Sequence, residues 1–141
     1  MKLFFKRKAK WSDDNFVEVK NASRWGVFQL GLNKLDIDII VRLVGPHPFE
    51  FGSCSMVDET RYVIWLHDNL PRKRFISTLF HELTHIKQHC YSGFELLSLN
   101  RAKWKQEYYV DFNYWNSPWE IEARKQERIL YKRYQEVSCL R

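Results

Sequence analysis

The segment His81-Glu82-Leu83-Thr84-His85 holds the residue types and the spacing that can do chemistry in this chain. On a helix, residues four apart lie on one face, so His81 and His85 can offer neutral imidazole nitrogens to one metal ion. Glu82 stands beside that pair, where a carboxylate can take a proton from a water that the ion activates. The pattern H-E-x-x-H therefore predicts a zinc-dependent hydrolase, with His81 and His85 as ligands of Zn2+ and Glu82 as the catalytic base. Two surface histidines beside an unrelated glutamate would spell the same letters, so the surrounding elements must decide between the two.

A catalytic zinc usually has three protein ligands and a water. His89 continues the histidine series, but a rise of about 1.5 Å per residue puts it roughly 12 Å along the axis from His81. Nothing in Ile86-Lys87-Gln88 breaks the helix between them, so His89 belongs beside the site or on the surface. Cys54, in Gly52-Ser53-Cys54-Ser55, could supply a thiolate in the manner of peptide deformylase, although that enzyme's other motifs are missing. The stretch Ser117-Pro118-Trp119-Glu120-Ile121-Glu122-Ala123-Arg124 brings two carboxylates to the first turns of a later helix. Ser117 and Glu120 also form S-x-x-E with Pro118 at the first helical position, which gives Glu120 a capping role as well. Spacing alone leaves Glu120 and Glu122 both open as the third ligand.

These residues need elements to position them. After Asn69-Leu70-Pro71 the period becomes helical, and a helix is predicted to run to about Cys90. Leu79, Leu83, Ile86 and Cys90 mark its core face, and His81 and His85 point roughly the other way. Upstream, residues 15–19 and 25–30 alternate enough to suggest two strands around Asn21-Ala22-Ser23. Residues 36–41 read as a strand ending at Gly45-Pro46, with a short helix as the alternative. Residues 51–57 and 61–66 read as a hairpin around Asp58-Glu59-Thr60, and Tyr62-Val63-Ile64-Trp65-Leu66 is the strongest strand signal. Residues 104–110 suggest a strand pair, and a final helix from Ser117-Pro118 turns Trp119, Ala123, Leu130 and Tyr134 inward. The pattern is α+β, a small mixed or antiparallel sheet packed on the site helix with a C-terminal helix closing the site.

The chain has 141 residues, 45% of them hydrophobic and 16% aromatic, which fits one globular domain with a sizeable core and argues against disorder. No apolar run reaches membrane-spanning length, and Leu3-Phe4-Phe5 is too short for a signal peptide, so a cytoplasmic protein without membrane contact is expected. Cys54, Cys90 and Cys139 make no C-x-x-C pair and are read as reduced thiols. The formal charge of +6 is concentrated at Lys2, Lys6, Arg7, Lys8 and Lys10. Residues 1–10 are therefore read as a basic N-terminal arm able to make weak nucleic-acid contacts or simply to aid solubility, and residues 11–141 as the single domain.

H-E-x-x-H followed by E-x-E-A on a later helix resembles the glutamate-ligated zinc peptidases. The resemblance implies that the third ligand is Glu120, three residues before Ala123. Many of those families carry an aspartate, orienting a zinc histidine, where this chain has Arg124; the departure keeps Glu122 as the alternative ligand. A broader match joins Ile76-Ser77-Thr78-Leu79-Phe80 and the H-E-L-T-H segment with Tyr114-Trp115-Asn116-Ser117-Pro118-Trp119-Glu120-Ile121-Glu122-Ala123. Over about residues 60–130 this resembles small bacteriophage metallopeptidases loosely described as SprT-like, although SprT-type proteases use a third histidine and none follows His89 here.

The resemblance implies a minimal zincin-like fold, zinc, and hydrolysis of a protein or peptide substrate, in the host cytoplasm if the chain is phage-encoded. In such a peptidase residues 62–66 would be the edge strand that holds an extended substrate. Tyr108, Tyr109, Tyr114 or Arg124 would donate to the oxyanion. Two other functions compete: a catalytically silent zinc-containing binding or regulatory protein, and a virion or replication accessory protein acting through its basic arm. The intact Glu82 favours the peptidase, because a purely structural metal needs no base there.

Overall fold

A computed structural model describes residues 1–7, 13–45, 50–67 and 70–139, with only the backbone of residues 13, 14 and 139. Its larger sheet contains β1 (Lys2–Lys6), β2 (Asp38–Val44), β3 (Gly52–Asp58) and β4 (Arg61–His67), in the order β1-β2-β4-β3. β1 and β4 both run parallel to β2, and β3 pairs antiparallel with β4 as the expected hairpin. Ile39, Val41 and Leu43 of β2 alternate into the core, and Ile64 and Leu66 do so from β4.

Two sequence expectations are corrected here. Residues 2–6 of the basic segment lie in the sheet as strand β1, because Leu3 and Phe5 pack on the core while the lysines face outward; residues 8–10 lie outside the described residues. β4 lies inside the sheet, with β2 on one side and β3 on the other, so among the described residues the free edge beside it belongs to β3.

A third correction concerns residues 15–19 and 25–30. They form one helix, α1 (Asp13–Gln29), ending in a turn at Leu30. Val19, Ala22, Ser23, Gly26, Val27 and Leu30 are buried at steps of one, three and four, a helical period that short windows disguise as alternation. Gly26 lets α1 approach closely: a Cβ there would sit 3.0 Å from Leu83 Cδ1 and Phe80 Cε1.

The site helix is α2 (Arg72–Ser92), and the closing helix is α3 (Pro118–Cys139). The predicted core face of α2 is buried at Leu79, Leu83 and Ile86, with Cys90 partly buried at the rim. Its N-cap is Pro71, it ends at Gly93 with φ 64°, and Asn69 lies outside the described residues. Trp119, Ala123, Leu130 and Tyr134 of α3 are buried as expected.

Between the helices a second sheet forms from β5 (Glu95–Ser98), β6 (Arg101–Trp104) and β7 (Glu107–Val110). The β6–β7 turn holds Lys105 and Gln106 at φ 48° and 70°. Ala102 and Trp104 of this sheet share a separate apolar cluster with Trp119, flanked by Phe94, Tyr109 and Phe112. No helix among the described residues is long and apolar enough to cross a membrane.

Candidate metal centre

α2 carries His81 and His85 one turn apart on the face turned towards α3, while Leu79, Leu83 and Ile86 hold the other face in the core. The imidazoles meet edge to face, with ring centroids 4.8 Å apart and Nε2 atoms separated by 3.2 Å. Glu120 completes the group from the first turn of α3. Its Oε2 is 3.0 Å from His81 Nε2 and its Oε1 2.8 Å from His85 Nε2. One ligand atom from each residue falls within a 4.8 Å spread, so His81, His85 and Glu120 could hold a metal ion. Two imidazole nitrogens and one carboxylate are a donor set that suits zinc and leaves room for a further ligand, so the residues fit the ion.

Trp119 explains why Glu120 arrives there. Its indole is buried in the cluster under the small sheet, with Phe94 at 5.1 Å and Phe112 at 4.8 Å between ring centroids. Its carbonyl accepts a 2.8 Å hydrogen bond from Gln88 Nε2, tying the start of α3 to α2. Ser117 donates its hydroxyl back to the Tyr114 carbonyl, and the Glu120 carboxylate turns to the histidines, away from the capping role open to it in the sequence. Glu122 points elsewhere, accepting from Gln88 Nε2 at 3.2 Å.

The outer imidazole nitrogens are also held. Glu127 Oε1 lies 3.1 Å from His81 Nδ1, and Gln88 Oε1 lies 2.7 Å from His85 Nδ1. Proton acceptors there favour N–H at both Nδ1 atoms and keep the Nε2 lone pairs for a metal. Sequence reasoning missed both partners. The signal for Glu127 was its position two turns beyond Glu120 on the same helix face, and for Gln88 its position one turn beyond His85.

Burial alone would lower the His81 pKa, but hydrogen bonds to Glu120 and Glu127, with nearby carboxylate charge, raise it to about 10. His85 is raised against its burial chiefly by Glu120. Glu120 moves the other way: the two histidines overcome its burial and hold it well below the usual carboxylate range. Glu82 is only 8% exposed, and burial raises its pKa despite the opposing pull of His85 and His81. A buried carboxylate of raised pKa beside two imidazoles holds a proton more readily than an exposed one, as an acid–base group must.

The other candidates are dispersed. His89 leaves the group as its spacing demands, with Nδ1 2.5 Å from the Tyr62 hydroxyl. Cys54 is a free thiol on β3 outside the ligand group; burial and then the Glu82 charge raise its pKa. Among the oxyanion candidates, Tyr114 is largely exposed in the turn before α3, and partial burial of the phenol, then the charge and hydrogen bonding of Glu120, raise it above the usual range. Tyr108 lies exposed on β7, and the Tyr109 hydroxyl donates to Glu107. Arg124 stacks 4.0 Å over the Trp115 ring and donates to the Trp115 carbonyl.

The family model of the M78 peptidases, described as the IrrE N-terminal-like domain, matches residues 34–115. The match spans more than half of the chain, contains the whole His81–His85 segment and ends before Glu120 and Glu127. No curated protein and no solved structure matches the chain.

Proposed function

This chain belongs to the IrrE N-terminal-like peptidase family, and from that premise we propose that it is a zinc-dependent endopeptidase. The observation that carries the reading is the convergence of His81, His85 and Glu120 on one point with Glu82 buried beside them. In this reading His81, His85 and Glu120 are the zinc ligands. When bound, zinc supplies positive charge that polarises the scissile carbonyl and makes water a nucleophile near neutral pH.

Glu82 accepts the proton of the attacking water and then delivers it to the departing amine nitrogen. Tyr114 donates a hydrogen bond to the oxygen on which negative charge develops. Glu127 and Gln88 hold the imidazoles in orientation throughout. The substrate lies extended along the free edge of β3, where unpaired backbone groups can accept a further strand. The string from Tyr114 to Ala123 supports the narrower affiliation with SprT-like phage peptidases; the family match itself carries neither that label nor a phage origin.

Metal analysis together with cleavage of an unfolded protein tests this reading. Wild type is expected to carry one zinc and to cut, and Glu82→Gln to keep the zinc while losing about 10²–10⁴-fold in rate, the range for a general base. Wild type that holds zinc and cuts no unfolded protein would turn the reading to a silent metal-binding protein.

A further inference from the structure

Beside the metal centre, the first turns of α2 and residues 124–128 of α3 enclose a cleft of about 490 Å³. Lys73, Arg74, Arg124 and Arg128 line it, with Ser77 and, among the described residues, one acid, Glu127. Glu127 is engaged by His81, and among the described residues no carboxylate pairs with any of the four cations. Aromatic rings brace three of them instead: Lys73 lies 5.9 Å from the Tyr131 ring centre, Arg74 4.9 Å from Phe51 and Arg124 4.0 Å from Trp115. Arg124 Nη1 is also buried without a hydrogen-bond partner among the described residues. Four cations gathered around one carboxylate leave an excess of positive charge, and ring faces hold them without neutralising them. An arriving carboxylate would find forked donors already positioned.

We propose that this cleft receives an acidic side chain of the polypeptide being cut, about two or three residues from the scissile bond. The spacing follows from α2, on which Arg74 and Ser77 precede His81 by four to seven residues, or roughly 6–10 Å at the helical rise. An extended chain covers that distance in about two or three residues. Phe51, the residue before β3, touches Arg74, so a peptide laid along the β3 edge that is free among the described residues runs into the cleft. The proposal rests on the peptidase reading and adds a substrate class to it.

The test uses the full zinc-loaded chain. With Glu82→Gln to keep peptides intact, binding of a labelled peptide containing Glu-Glu is compared by fluorescence anisotropy with its Gln-Gln and Lys-Lys counterparts. The acidic peptide is expected to bind about tenfold more tightly than the neutral one, with a preference that weakens as salt rises. Arg128→Glu and Lys73→Glu, both exposed helix positions, should each abolish that preference, and Arg128→Gln should reduce it. Equal binding of the three peptides, a preference that survives both reversals, or a DNA oligonucleotide that binds more tightly than the acidic peptide would overturn the proposal.

Wild-type digestion of a peptide mixture separates this idea from the reading beneath it. Cleavage sites enriched in Asp or Glu at one offset, shifting towards Lys or Arg in Arg128→Glu, support the cleft. Cleavage without acidic enrichment overturns the cleft and leaves the peptidase standing. Charge-selective binding without any cleavage overturns the peptidase and leaves an acidic-peptide site.

Discussion

In the metal-free protein, His81 and Glu120 stabilise each other's charged forms, and each ties folding stability to pH. The folded pKa of His81 is raised, so its contribution is complete below its ordinary 6.5 and is lost as pH rises towards about 10. That of Glu120 is depressed, so its contribution is complete above its ordinary 4.5 and is lost as pH falls. After chelation, melting temperature should therefore fall between pH 6.5 and about 10, and Glu120→Gln should flatten much of that fall. A metal-free wild type with a level profile across that range would contradict the assigned pairing. The histidines and Glu82 were legible because the motif is local: three residues within one helical turn carry it. Glu120 and Glu122 could not be separated by spacing, because the answer depends on how α3 is rotated against α2. The buried Trp119 and its carbonyl bond to Gln88 set that rotation.

Among the elements that carry no candidate ligand, the small sheet has the least obvious task, and the cluster beneath it touches the candidate metal centre. Phe94, just before β5, stacks against His85 with ring centroids 6.2 Å apart and also touches Trp119. Trp119→Ala should cost about 3–5 kcal/mol for a buried aromatic and should also weaken zinc binding, because Glu120 is the next residue. Denaturant melts and zinc titration of the same variant check both effects; unchanged zinc affinity would show that Glu120 is positioned independently of the cluster. The sequence suggested a strand pair at 104–110 and missed β5, whose residues are all exposed and leave no alternation to read. α1 was misread for the opposite reason, since a two-residue and a three-to-four-residue period agree over five positions and separate only over a longer window. The hairpin and α2 were readable because each has an unbroken period and a turn or proline at its boundary.

At the scale of the molecule, α2 and α3 run antiparallel, so one seam between them carries several tasks in succession. Gln88 meets Trp119, His81 and His85 meet Glu120, His81 meets Glu127, and Lys73 meets Tyr131. The candidate ligands are thus drawn from two places in the chain, with the whole small sheet between them. An ion held by His81, His85 and Glu120 would be a clasp on that loop, tying its two ends as a cross-link would. The far end of α3 has its own anchorage through Leu130 and Tyr134 in the main core. Loss of metal should therefore unfasten one region and spare the rest. Limited proteolysis after chelation should cut first within residues 93–117 and leave the larger sheet with α1 and α2 resistant, and restored zinc should suppress the cuts. If chelation instead exposed every part of the chain together, the clasp would be holding the whole fold. The same loop supplies Phe94 against His85 and leads directly into Glu120, so metal occupancy would decide whether that side of the candidate centre is formed, while the β3 edge stays in place.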